Sequence, residues 1–203
     1  MNPMSLFEAD PQFNLLPHDG LVRYFGKIID QQLSDSFYYY LLNKIEWKQD
    51  EAIIFGKHLY TKRKAAWYGD KPYAYTYSKT TKVALPWTAE LLELKQMAEK
   101  ITGINSNSCL LNLYHNGTEG MAYHSDDEVA LGPRPEIASF SFGAERKFLF
   151  KHKQNGKLVS MVLEHGSLLT MEGETQKYWL HRLPQSKKIT TPRINLTFRK
   201  IFD

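Results

Sequence analysis

A chain of 203 residues, 42% hydrophobic and 24% charged with a formal charge of +4, is long enough to bury one sizeable core as a single domain. Its one cysteine, Cys109, excludes an internal disulfide, and no apolar run approaches the roughly 20 residues that a membrane helix needs. Twelve Tyr and eleven Phe favour a strand-rich protein over a helical bundle.

The first 20 residues, through Pro11, Pro17 and Gly20, read as an extended lead-in without a charged segment, apolar run and cleavage site. With a single cysteine, a reducing, cytosolic setting is therefore expected. A first helix is predicted from Ser34 to Trp47, with Phe37, Tyr40, Leu41 and Ile45 near helical spacing. Between Ile54 and Leu85, seven cations (Lys57, Lys62, Arg63, Lys64, Lys71, Lys79, Lys82) face one acid, Asp70, among many aromatics. After Pro86, Thr88 is a suitable N-cap for a second helix. Its apolar face comprises Leu91, Leu92, Leu94, Ala98 and Ile101, and Gly103 suits the left-handed terminus.

From Ser108 onward the pattern becomes that of strands. Segments 139–142, 147–152, 158–163, 167–171 and 193–198 alternate or run β-rich, broken by Gly143, Asn155-Gly156, Gly166 and Gly173. Asn155-Gly156 is a strong hairpin signal. The expected fold is α+β, mainly β: a double-stranded β-helix, or jelly roll, with helices buttressing one face.

Two patterns carry chemistry. In "YHSDDE", His124 and Asp126 stand two apart, and in extended backbone such residues project to one face, where a histidine from elsewhere would complete a two-His-one-carboxylate metal site. Alone, the triplet is weak, since most such triplets are surface polar residues. In "RINLTFR", a period of two sets Arg193, Asn195, Thr197 and Arg199 opposite Ile194, Leu196 and Phe198. Three core-facing apolar residues force two guanidiniums to share the other side, where arginine matches carboxylates bidentately. "LLNLYHN" likewise puts Asn112 and Tyr114 on one face. His181 precedes the arginine strand by 12 residues and is favoured as third ligand, with His165 in reserve.

These segments resemble the AlkB family of Fe(II)- and 2-oxoglutarate-dependent dioxygenases, and especially its animal members that repair alkylated DNA. The resemblance runs over about residues 50–202 and is carried by "NLY" at 112–114, "HSDDE" at 124–128, "IASFSFGAERKFLF" at 137–150, "HGSLLTM" at 165–171, "WLHRLP" at 179–184 and "PRINLTFRK" at 192–200. It implies iron on His124, Asp126 and His181. It also implies 2-oxoglutarate on Asn112, Tyr114, Arg193, Asn195, Thr197 and Arg199, with one arginine at each end of the cosubstrate and Arg199 counted with the catalytic set. The implied reaction uses O2 to hydroxylate an N-alkyl group on a base, after which formaldehyde leaves.

The resemblance further implies a monomer acting on 1-methyladenine and 3-methylcytosine in single- or double-stranded DNA, with RNA as the neighbouring alternative. A silent nucleic-acid-binding module of the same fold is the alternative from another class. Residues 1–50 would be an N-terminal extension and helix, 51–85 a nucleotide-recognition lid and 105–203 the dioxygenase core. In the lid, Phe55, Gly56 and Lys57 match the wedge of duplex-acting relatives. Arg63, Tyr75, Thr76 and Tyr77 would meet the substrate, as would Asp127 and Glu128 beside the metal. Lys62 stands where close relatives tend to have Pro, a departure that bears on the lid and not on the iron site.

Overall fold

Why the arginine strand alternates as it does becomes clear from its neighbours. The computed structural model describes residues 10–54, 57–77 and 80–202. In chain order, the elements of the first half are β1 (Leu21–Lys27), α1 (Gln31–Lys44), β2 (Lys48–Ile54), β3 (Lys57–Gly69), β4 (Ala74–Tyr77), β5 (Thr80–Val83), β6 (Leu85–Pro86) and α2 (Ala89–Thr102). The second half comprises β7 (Ser108–Tyr114), β8 (Met121–His124), β9 (Ile137–Gly143), β10 (Arg146–His152), β11 (Leu158–Leu163), β12 (Ser167–Glu172), α3 (Thr175–Tyr178), β13 (Trp179–Leu183) and β14 (Arg193–Arg199).

An eight-stranded sheet runs β1-β12-β9-β14-β7-β3-β2, with β6 beside β3, and a four-stranded sheet runs β11-β10-β13-β8. Strand β14 is central, antiparallel to both β7 and β9. Its Ile194, Leu196 and Phe198 are fully buried against Leu111, Leu113, Phe140 and Phe142 from the neighbouring strands, and against Phe37 and Leu41 of α1 and Leu91, Leu94 and Ala98 of α2. The helices thus buttress the outer face of the large sheet. A second core holds the two sheets together: Ile137, Leu169 and Met171 of the large sheet meet Phe150, Leu163 and Trp179 of the small one. This is the expected jelly roll.

The local predictions hold with three adjustments. Helix α1 starts earlier than Ser34 because Asp30 caps it, its carboxylate accepting from Leu33 N at 2.9 Å. It stops before Trp47 because Ile45 is already extended (φ −72°, ψ 140°). The Trp47 indole then donates back to Leu41 O at 3.0 Å. Helix α2 has the predicted ends, with Thr88 Oγ1 accepting from Leu91 N and Gly103 at φ 76°. Its apolar face is narrower than expected, however, since Leu92 and Ile101 are 37% and 42% exposed. Strand β1 lies in a stretch given no element from the sequence. Its pairing with β12 slips between Tyr24 and Gly26, which breaks the alternation that would have marked it. The Asn155-Gly156 turn joins β10 and β11 as expected, with Gly156 at φ 72°.

Because Leu196 has no exposed surface and backs the polar face of β14, Leu196→Ala should destabilise the fold by about 2–5 kcal/mol, measured as a lower denaturant midpoint. A midpoint unchanged from wild type would refute this account of what fixes the strand.

Candidate metal and anion site

Between the two sheets lies a cavity of about 1060 Å³. Cross-strand register builds its large-sheet wall. Arg193 stands opposite Tyr114, and Asn195 opposite Asn112. On the other flank Asn195 faces Ser141 and Thr197 faces Ser139. The small sheet contributes Phe148, Leu183 and a pair of histidines, with His181 directly across from His124.

His124 Nε2 and His181 Nε2 lie 3.7 and 3.6 Å from the same atom, Asp126 Oδ1. The three candidate ligand atoms all fall within 4.8 Å of one another. These separations exceed a hydrogen bond but are small enough for one ion to bridge. His124 Nδ1 sits 2.9 Å from Ala122 O. A carbonyl can only accept, so Nδ1 carries the proton and Nε2 presents a lone pair to the cluster. Burial pushes the His181 imidazole down to about 4 against the opposing pull of Asp126, so it is neutral at pH 7. Burial also pushes the Asp126 carboxyl up, but Arg199, His181 and His124 together outweigh that and hold it below the usual carboxylate range. A neutral His181 imidazole and the Asp126 carboxylate are thereby ready to ligate, with His124 Nε2 directed at the same carboxylate oxygen.

A second His/Asp group, His18, Asp19 and His152, is equally compact but differs in its protons. His152 Nδ1 accepts from the backbone N–H groups of Gln154 and Asn155, each at 3.3 Å. Its proton must then be on Nε2, facing Asp19 Oδ2 at 3.3 Å. In that group His18 Nδ1 is hydrogen-bonded to Asp19 Oδ2 at 2.9 Å, whereas His152 Nε2 makes no hydrogen bond and the His152 lone pair is spent on backbone N–H groups. His165, the reserve ligand, is turned away toward α1: its Nδ1 accepts from Gly143 N and its Nε2 lies 3.1 Å from Asp35 Oδ1.

The anion side rests on burial. Arg193 is 2% exposed, donates through Nη2 to Ser141 Oγ at 2.9 Å and lies 5.7 Å from the centre of the Tyr114 ring. Its Nε is buried without a partner, and no carboxylate of the described residues comes within ion-pair distance. Desolvation lowers its pKa to about 10, still a cation at pH 7. A buried, uncompensated guanidinium is costly, and an anion in the cavity would offset that cost. Arg199, at the other end of the strand, approaches Asp126 Oδ2 at 3.6 Å and Glu128 Oε1 at 3.7 Å, and its Nε is also buried without a partner. The two cations therefore flank the cavity, Arg199 beside the metal cluster and Arg193 away from it.

A family model described as "2OG-Fe(II) oxygenase superfamily" matches residues 21–199. "Alpha-ketoglutarate-dependent dioxygenase alkB homolog 3" of Bos taurus is 42% identical over 184 residues, which cover 86% of this chain and 64% of that protein. "DNA oxidative demethylase ALKBH2" of Homo sapiens is 36% identical over 204 residues, covering 95% of this chain and 78% of that protein. The chain belongs to the AlkB family of 2OG-Fe(II) oxygenases.

It spans somewhat less than two thirds of the length of the alkB homolog 3 proteins that it matches. The solved structure of OsALKBH1 shares the fold at a TM-score of 0.57 and 15% identity, covering 91% of this chain and 99% of that one. The family's cofactors are Fe(II), 2-oxoglutarate and O2. The donor set fits them: His124, Asp126 and His181 could hold Fe(II), and the two guanidiniums, each with a buried Nε that has no partner, could hold a dicarboxylate.

Other AlkB-type positions are distributed as follows. Asn112, Tyr114, Asn195 and Thr197 line the cavity. The Asn195 amide nitrogen is spent on Ser139 Oγ (2.8 Å) and Phe140 O (2.9 Å). Arg63 reaches the cavity from β3, 6.0 Å from the Tyr114 ring centre and 3.1 Å from Met121 Sδ. Glu128 lines the cavity, whereas Asp127 is exposed and accepts from Ser125 Oγ at 3.2 Å. Phe55 and Gly56 lie outside the described residues. Lys57 begins β3, and Tyr75, Thr76 and Tyr77 belong to β4, which pairs with β5.

Sequence reasoning missed Ser139, Ser141 and Arg146. The two serines alternate with Phe140 and Phe142, so a period-two reading of "SFSF" would have put them on the cavity face. Arg146, 1% exposed, donates to the carbonyls of Glu119 (2.9 Å) and Pro184 (2.8 Å), joining the loop before His124 to the end of the strand that carries His181.

Millimolar 2-oxoglutarate should raise the thermal midpoint of the wild type, by linkage about 2.7 kcal/mol of stabilisation at a hundredfold excess over Kd. Arg193→Met should abolish that gain. An equal gain in the variant would show that Arg193 is not the anion's partner.

Proposed function

We propose that this chain is an Fe(II)- and 2-oxoglutarate-dependent dioxygenase that removes N-methyl groups from 1-methyladenine and 3-methylcytosine in DNA. The observation that carries this reading is one cavity that joins a compact His-Asp-His cluster to two buried arginines, Arg199 beside Asp126 and Arg193 without an anion. The name of the human relative, DNA oxidative demethylase ALKBH2, supports the substrate.

In this reading His124, Asp126 and His181 hold the iron. Arg193, with Tyr114 and Asn112, binds the distal carboxylate end of 2-oxoglutarate, and Asn195, its amide nitrogen committed to Ser139 and Phe140, shapes the adjoining wall. Arg199, close to Asp126, serves the metal-chelating end together with Thr197. Bound iron and 2-oxoglutarate supply the oxidation by O2 that yields succinate, CO2 and a hydroxymethyl base, which sheds formaldehyde. The protein contributes position and a water-poor wall: Leu169, Met171, Phe148 and Leu183 are apolar lining that keeps bulk water from the reacting carbon.

Residues 51–85 act as the lid over the extruded base. Phe55, Gly56 and Lys57 fill the vacated stack, while Tyr75, Thr76 and Tyr77, with Arg63, Asp127 and Glu128, meet the nucleotide. The excess of cations there supports a polyanionic partner, because each phosphate neutralised releases counterions. A damaged, poorly paired base costs less to flip than a sound one, which gives selectivity without sequence reading. The enzyme acts as a monomer inside the cell. No helix of the described residues is long and apolar enough to cross a membrane.

The test is release of formaldehyde and succinate, with and without Fe(II), on matched methylated DNA and RNA oligonucleotides. Iron-dependent release from DNA is expected, and a strong preference for RNA would overturn the substrate. His124→Ala and Asp126→Ala should each abolish release while circular dichroism stays that of the wild type. Turnover persisting in either would refute the ligand assignment.

A further inference from the structure

Of the three cluster residues, Asp126 has the weakest backbone support. Strand β8 ends at His124, so Asp126 lies beyond the ladder, and β8 is the edge of the small sheet with only β13 as neighbour. A carboxylate on unpaired backbone would swing, and a metal site needs it held. The hold comes from outside the strand. Asp126 N donates at 2.9 Å to Oε1 of Gln176, a residue of α3 that is 2% exposed. The Gln176 backbone carbonyl in turn accepts from Lys153 Nζ at 2.8 Å, and the same ammonium donates to Ser125 Oγ at 2.9 Å.

We propose that Gln176 is a positioning residue that fixes the Asp126 carboxylate for metal binding, with Lys153 as its outer brace; this rests on the reading of His124, Asp126 and His181 as ligands. Two features support a role beyond satisfying a buried N–H. Gln176 stands in α3, which runs directly into β13, five residues before His181, so one continuous stretch carries one ligand and holds the backbone of another. Its amide is also committed: with Oε1 taken by Asp126 N, Nε2 is left against Met171 Sδ at 3.5 Å, a weak acceptor. The side chain is therefore buried for the sake of its oxygen.

The test uses the apoprotein and Co2+ as probe, with affinity and visible absorption as readouts. Gln176→Met keeps the length and removes the acceptor, and should weaken Co2+ binding about 10–100-fold, the usual loss when a group orienting a ligand is removed, and shift the visible bands. Gln176→Glu keeps an acceptor oxygen and should recover most of the affinity. Lys153→Met, at an exposed position, should give a smaller loss with an unchanged apoprotein melting temperature. Wild-type affinity and spectrum in Gln176→Met overturn the inference, as does a loss in Gln176→Glu equal to that in Gln176→Met. Should Gln176→Met not fold, wild-type affinity in Lys153→Met overturns it. His124→Ala is the control on the underlying reading: Co2+ bound there as in the wild type would bring down the ligand assignment itself.

Discussion

Everything in this molecule turns on keeping two guanidiniums buried on one strand, Arg199 beside Asp126 and Arg193 with no carboxylate of the described residues to match it. Arg193 and Arg199 are buried on the central strand of the large sheet. Taking an ion out of water costs several kcal/mol even after relaxation, so the fold must oppose that cost with something else. The opposing force is on the back of the same strand, where Ile194, Leu196 and Phe198 have no exposed surface and pack under both helices. The apolar face fixes the register, and the register leaves the guanidiniums nowhere to go but the cavity.

The metal cluster is tied to this arrangement through charge. Arg199 is the foremost influence holding Asp126 ionised against its burial, and it belongs to the strand whose polar face lines the cavity. The small sheet supplies the histidines and the large sheet the cations, so neither half of the site exists without the packing of the two sheets around Phe150, Leu163, Leu169 and Trp179. The donor arrangement also separates this cluster from its surface counterpart. In both, geometry alone is suitable, but only His124 spends its Nδ1 proton on a carbonyl and so frees Nε2.

Much of this was legible in the sequence because alternation is a strong signal when one face is wholly apolar. "RINLTFR" announced its faces, and Thr88 and Gly103 announced the ends of α2. What escaped notice was either irregular or relational. Strand β1 is hidden by its slipped pairing at Gly26, and the start of α1 depends on a single capping aspartate. Gln176 sits 50 residues from the backbone group that it holds, and nothing in "ETQKYW" marks a polar side chain as buried. The choice of His181 over His165 likewise required the pairing of β13 with β8, which spacing could favour but not decide.

The unequal exposure of the two histidines has a consequence for how the protein is loaded. The His181 side chain is 7% accessible, whereas that of His124 is 37%. One flank of the cluster is sealed by sheet, and the other is a doorway. Ion exchange, and stripping by chelators, would proceed past His124 without the sheets parting, so apoprotein and holoprotein should interconvert without unfolding.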